Sequence, residues 1–235
     1  MIHFEQEITA LKEKLLTMAS KATNAVNKAI KALVDRDDDL ARLVQHEDDD
    51  LDRLEIEIDD MAVGLLSKAP LASDLRFITA AMKISHDLER VGDEATKIAR
   101  RSIELSQEPQ LKPYVDIPRM TRMGAEMMAD ALDAFVNRNP EKARAVIPRD
   151  HEVDLLNKQL HRELSSYMVE KPATITRCLN LMVISKSLER IADHATNVAE
   201  DVVYLYEAKD IRHTGKGEAP RPESGAARLP EETVG

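Results

Sequence analysis

The chain has 235 residues, a formal net charge of −10, one cysteine and no tryptophan. This negative charge repels the phosphate backbone of nucleic acids, so it argues against a nucleic-acid-binding role and favours cations or basic protein surfaces as partners. The single Cys178 excludes an intramolecular disulfide and a thiolate-rich metal site, while the 3% of aromatic residues and the seven glycines favour helices over sheets.

Apolar residues recur at three- and four-residue steps through the first half of the chain, which is the pattern of amphipathic helices. The acidic run 35–39 supplies candidate N-caps for the second of these helices, and Pro70 is expected to end it. Pro109 follows the third helix. The three predicted helices span residues 5–34, 38–68 and 73–106.

The second half of the chain repeats this plan. Residues 134–138 read AFVNR and correspond to ALVDR at 32–36, a shift of 102 residues. Asn139 and Pro140 form the corresponding cap and first turn, and Pro148 is expected to bend the fifth helix because proline cannot donate the helical hydrogen bond. The three predicted helices span residues 116–138, 140–170 and 173–208.

Long helices with short connections predict an all-α fold of two tandem, pseudo-symmetric, antiparallel three-helix bundles, with six long helices in all. The first bundle is expected over residues 1–109 and the second over 110–209. Residues 210–235 are dense in glycine, proline and charge and have no apolar period, which predicts a disordered C-terminal tail.

Neither a signal peptide nor a membrane span is expected. The first residues lack a basic region followed by an apolar stretch, and no segment approaches the roughly 18 uncharged apolar residues of a spanning helix. We therefore expect a soluble, cytoplasmic protein without direct membrane insertion.

A longer repeat carries the residues with the clearest chemistry. Residues 82–99 read MKISHDLERVGDEATKIA and residues 182–199 read MVISKSLERIADHATNVA, with ten of eighteen positions identical. On a helix, side chains four residues apart lie on one face at about 6 Å, so they can form a patch of two carboxylates. Both copies hold such a pair: Glu89 with Asp93, and Glu189 with Asp193.

The second helix of each half carries a matching pair. At the shift of 102 residues, Asp48 and Asp52 correspond to Asp150 and Asp154. If each second helix packs beside the third, four carboxylates converge in each half, a set of hard oxygen ligands suited to Mg²⁺, Mn²⁺, Ca²⁺ or iron. Zinc is less favoured, although His194 could add a nitrogen in the second half.

Solvated surface charge is the alternative interpretation for each acidic pair taken alone. The run 47–52 is so acidic that some match to a carboxylate pattern is expected there. Arg90 and Arg190 fit ordinary ion pairs, and Thr96 and Thr196 fit close helix packing. A functional interpretation is favoured because Leu-Glu-Arg-x-x-Asp-x-Ala-Thr-x-x-Ala is kept in both copies.

The sequence contains no recognisable catalytic apparatus, so we expect a protein that is not an enzyme. There is no glycine-rich phosphate loop and no nucleophile paired with a base. The alternative is a metal-storing protein or a di-metal carboxylate enzyme, such as a metal-dependent hydrolase, in a helical bundle. No glutamate has a histidine three residues later, which argues against a redox di-iron bundle.

Residues 188–200 read LERIADHATNVAE and, with the earlier copy LERVGDEATKIA at 88–99, resemble the signature of the PhoU family. The resemblance covers residues 3–208 and implies two tandem three-helix bundles. It also implies metal clusters, of Mg²⁺, Mn²⁺, iron or Zn²⁺, on the acidic pairs of this sequence: Asp48, Asp52, Glu89, Asp93, Asp150, Asp154, Glu189 and Asp193.

The resemblance further implies a negative regulator of phosphate uptake and phosphate-starvation signalling. Such a protein would be an adaptor between the ATPase subunit of a phosphate ABC transporter and a phosphate-responsive sensor histidine kinase. A cytoplasmic homodimer, attached peripherally to membrane complexes, is expected. The two halves depart from each other where Gly92 becomes Ala192 and Glu94 becomes His194. Phosphate itself is expected to bind an acidic site only through an intervening cation.

Overall fold

A computed structural model describes residues 2–69, 71–209 and 211, and all regular secondary structure within those ranges is helical. The predicted all-α fold is therefore confirmed and, apart from a break inside the fifth predicted helix, every helix end lies within three residues of its predicted position. Seven α-helices form in these ranges: α1 (Ile2–Asp35), α2 (Asp38–Leu66), α3 (Ala72–Ser106), α4 (Asp116–Asn137), α5 (Pro140–Val146), α6 (Asp150–Glu170) and α7 (Ile175–Glu207).

The turn that follows the first helix of each half has the same construction in both copies. Arg36 and Arg138 adopt the left-handed conformation, with φ of 57° and 52°. The next residue caps the following helix: the Asp37 carboxylate accepts from the amide of Leu40 at 2.9 Å, and Asn139 Oδ1 accepts from the amide of Lys142 at 3.0 Å. These short polar side chains satisfy amides that the helix start leaves unpaired, as the sequence predicted.

Pro148 interrupts the fifth predicted helix rather than merely bending it. A single 3-10 turn, Ile147–Arg149, separates α5 from α6. The cause is that proline has no amide hydrogen to donate and its ring crowds the preceding turn. As a consequence, Asp150 is the first residue of α6.

Each half packs its helices around a common core, and the two halves meet along α3 and α7. Helices α1, α2 and α3 contact one another in the first half, and α7 contacts α4, α5 and α6 in the second. The α3–α7 contact is antiparallel, because Lys83 reaches Asp201 at 3.0 Å near one end and Glu94 reaches Arg190 at 3.2 Å further along. The predicted boundary between residues 109 and 110 lies in the loop between α3 and α4.

Two predictions fall on parts of the chain outside the described residues. These are the role of Pro70 in ending the second helix, whose last residue, Leu66, is itself described, and, apart from Ile211, the disordered tail over 210–235. Within the described ranges, no helix combines the length and apolar character needed to cross a membrane.

Candidate metal centres

Four predicted carboxylates of the first half come together where α2 packs against α3. Asp48 and Asp52 lie on α2, and Glu89 and Asp93 lie on α3. We call these four residues the first cluster. The helices approach closely here because Gly92 has no side chain: a Cβ on it would lie 2.4 Å from Leu51 Cδ1 and 3.1 Å from Asp48 Oδ1. Gly92 thereby brings Asp48 against α3.

The carboxylates of the first cluster interact electrostatically across the two helices. Burial raises the pKa of Asp48, and the Asp52 and Asp93 carboxylates raise it further, against the opposing effects of Thr96 and Arg100. Burial also raises the pKa of Asp52 and of Glu89, and Asp93 adds to both shifts. Like charges that raise one another's pKa lie close together and favour a bound cation.

The second cluster consists of Asp150 and Asp154 on α6 with Glu189 and Asp193 on α7. The pKa of Asp150 rises to about 6, because the carboxyl is buried and because the Asp193, Asp154 and Glu189 carboxylates surround it. Burial raises the pKa of Glu189 as well, although the Lys186 ammonium opposes that shift. For Asp193, burial is again the main cause of a raised pKa, and Asp154 contributes.

Buried oxygen atoms on the helices that carry the two clusters lack a hydrogen-bond partner within the described part of the chain. Among them are Asp150 Oδ1, a member of the second cluster, and the hydroxyl oxygens of Thr96 on α3 and Thr196 on α7. Thr96 lies beside Asp48 and lowers its pKa without reaching good hydrogen-bond geometry. An unsatisfied buried polar atom costs about 1–3 kcal/mol, so a cation or its bound water fits these positions. The donor set, all oxygen, suits a hard divalent ion.

The structure also brings together three ligand atoms that the sequence comparison missed. Among the described residues, the one group of three histidine, cysteine or acidic side chains whose ligand atoms lie within 4.8 Å of one another is Glu55, His86 and Glu89. The four carboxylates of each predicted cluster are therefore more widely spaced than this group. A sequence signal existed, since His86 and Glu89 are three residues apart on one helix, but the second half does not repeat it.

The repeated arginines and the His194 position have different partners in the two halves. Arg90 pairs within α3, with Asp93 at 3.2 Å and Glu89 at 3.5 Å. Arg190 instead reaches across to Glu94 in the first half. His194 Nδ1 lies 2.8 Å from Asp87 Oδ1, so this imidazole joins α7 to α3, and it also lowers the pKa of the neighbouring Asp193.

Comparisons with known proteins agree with this architecture. The family model described as the PhoU domain matches residues 15–102 and 117–202. A Pseudomonas aeruginosa protein named "Phosphate-specific transport system accessory protein PhoU homolog" is 41% identical over 90% of this chain and 88% of its own length. An Aquifex aeolicus protein of the same name is 41% identical over 88% of this chain and 95% of its own length.

Solved structures show the same fold. The crystal structure of PhoU from Pseudomonas aeruginosa is 40% identical, has a TM-score of 0.85, and matches over 88% of this chain and 100% of that one. The phosphate transport system regulatory protein PhoU from Streptococcus pneumoniae is 29% identical, has a TM-score of 0.84, and matches over 88% and 99%. With its two matched domains and relatives of this similarity over nearly their full length, the chain belongs to the PhoU family.

Proposed function

We propose that this protein is a regulatory accessory protein of a phosphate-specific transport system. The observation that carries the proposal is the 41% identity, over 90% of this chain, to the Pseudomonas aeruginosa protein of that name. A likeness that covers both halves supports a shared role better than a likeness confined to one motif.

The role we propose is negative regulation without catalysis. The protein would act as an adaptor between the ATPase subunit of a phosphate ABC transporter and a phosphate-responsive sensor histidine kinase. We place it in the cytoplasm, as a homodimer held at membrane complexes by these partners. A net charge of −10 supports basic protein surfaces as the docking partners.

We further propose that the first and second clusters each bind divalent metal, with Mg²⁺, Mn²⁺, iron or Zn²⁺ as the candidates. Each ion would supply the positive charge that the crowded carboxylates lack. Since each cluster spans two helices, a bound ion would hold α2 to α3 or α6 to α7.

The regulatory proposal is tested in cells that lack this chain and carry a phosphate-responsive reporter. We expect the reporter to be active in high phosphate without the chain and repressed when the full chain is restored. Tagged protein should co-purify with the transporter ATPase and the histidine kinase. An unchanged reporter together with no recovery of either partner would refute the proposal.

The same material tests the hydrolase alternative. Purified protein is assayed with phosphoesters in Mn²⁺ or Mg²⁺, beside the Glu89→Ala and Asp193→Ala variants. We expect no turnover by any of the three proteins. Turnover by the unaltered chain that both variants abolish would favour the metal-dependent hydrolase instead.

A further inference from the structure

Glu55, His86 and Glu89 form a set of three metal-ligand side chains on two adjacent helices. Glu55 lies on α2, and His86 and Glu89 lie one turn apart on α3. Their ligand atoms are all within 4.8 Å of one another, and His86 Nδ1 is 3.0 Å from Glu55 Oε1. Two ligands of one tetrahedral ion at about 2.0–2.1 Å lie roughly 3.3 Å apart, so this pair is already close to a metal-binding separation.

The group is accessible from solvent. Glu55 and His86 line a cavity of about 560 Å³ between the two halves, together with Asp59, Met82 and others. The side chain of His86 is 58% exposed and that of Glu55 is 26% exposed, while that of Glu89 is 17% exposed. An ion entering from this cavity could keep water at its remaining coordination positions.

The second half has different residues at two of the three equivalent positions. By the repeat, Lys186 replaces His86 and Asn157 replaces Glu55, while Glu189 replaces Glu89. The Lys186 ammonium pairs with Glu189 Oε2, and Asn157 accepts a hydrogen bond from Ser185. In the second half, therefore, the cation beside Glu189 is the ammonium group of Lys186.

We propose that Glu55, His86 and Glu89 bind one transition-metal ion, and that Lys186 takes the place of that ion in the second half. Two carboxylates and one imidazole suit Zn²⁺ and related first-row divalent ions, whereas Mg²⁺ and Ca²⁺ prefer oxygen ligands alone. We call this group the mixed-ligand site. It shares Glu89 with the first cluster, and it does not depend on the regulatory role.

The test titrates Zn²⁺ into metal-free, full-length protein by calorimetry, with millimolar Mg²⁺ present to fill the carboxylate clusters. The unaltered chain is expected to bind one more equivalent of Zn²⁺ than the variant Glu55→Asn/His86→Lys. This variant introduces the residues that the second half has at the equivalent positions. It therefore removes two proposed ligands and replaces them with side chains that the same fold already accommodates. If the two proteins bound Zn²⁺ with equal stoichiometry and affinity, Glu55 and His86 would form an ion pair only, and the proposal would be overturned.

Two further measurements separate this site from its surroundings. In NMR spectra, the imidazole signals of His86 should shift during addition of the first equivalent of Zn²⁺, and unchanged signals would overturn the proposal even if the double variant failed to fold. The variant Asp48→Asn/Asp93→Asn, which alters the first cluster alone, should retain the Zn²⁺ equivalent. Its loss in that variant would assign the ion to the first cluster and refute a separate site.

Discussion

Asp150→Asn should stabilise the metal-free protein at neutral pH. In the folded chain the pKa of Asp150 is about 6, against an ordinary value of 3.8. At about 1.4 kcal/mol per pH unit, ionising this carboxyl costs the folded state roughly 3 kcal/mol more than the unfolded state. Because the residue is half-buried and water screens its charge, we expect about 1–3 kcal/mol of stabilisation from the asparagine.

The pH dependence follows from the direction of this shift. Below about pH 3 the carboxyl is mostly neutral in both states, so the folded state bears almost no penalty. As the pH rises toward about 6, the unfolded state releases its proton more readily, and the unaltered chain loses stability. The advantage of Asp150→Asn should therefore be small at pH 4, grow as the pH rises, and be complete above about pH 6.5.

Urea unfolding followed by circular dichroism, in the presence of a chelator, measures this effect at pH 4.5 and pH 7.5. Glu152→Gln is the matched control, because it removes one exposed acidic charge from the same first turn of α6. An equal gain at both pH values, or an equal gain in the control variant, would refute the assignment of Asp150 to a crowded, buried cluster.

Two other predictions test the packing that positions the clusters. Gly92→Ala should lower the free energy of unfolding by up to about 2 kcal/mol, since an overpacking cost of about 1–3 kcal/mol outweighs the roughly 1 kcal/mol gain in helix propensity. Adding Leu51→Val gives the combination found at the equivalent positions of the second half and should restore the urea midpoint. A double variant as unstable as Gly92→Ala alone would contradict this contact. Arg138→Gly should stabilise the fold by up to about 1 kcal/mol by relieving its left-handed backbone, whereas Arg36→Gly should not, because Arg36 also donates to the carbonyls of Ser106 and Glu108. Equal thermal shifts for the two arginine variants would count against the second prediction.

Local chemistry explains why the helices could be predicted so closely. Caps such as Asp37 and Asn139, and breakers such as Pro148, act on the few residues around them, so their effects can be read from sequence. The i,i+4 pairs are likewise fixed by helix geometry once the helix is known. The meeting of α2 with α3 followed from short connections between long helices.

The features missed by sequence reasoning depend on tertiary contacts or on differences between the halves. A comparison of the two copies finds the residues that both share. It could not identify Glu55 and His86, because their counterparts are Asn157 and Lys186. The contact of His194 with Asp87 could not be predicted either, because it depends on the register between α3 and α7. A repeat therefore locates shared sites well and conceals sites that only one half retains.

The most direct test of paired metal clusters is calorimetric titration of Mn²⁺ into metal-free, full-length protein. The comparison variant changes Asp48, Asp93, Asp150 and Asp193 to asparagine, which leaves the mixed-ligand site intact. The unaltered chain should bind at least one more ion per cluster than this variant. If the two proteins bound the same amount of Mn²⁺ with the same affinity, the carboxylate clusters would not be metal sites.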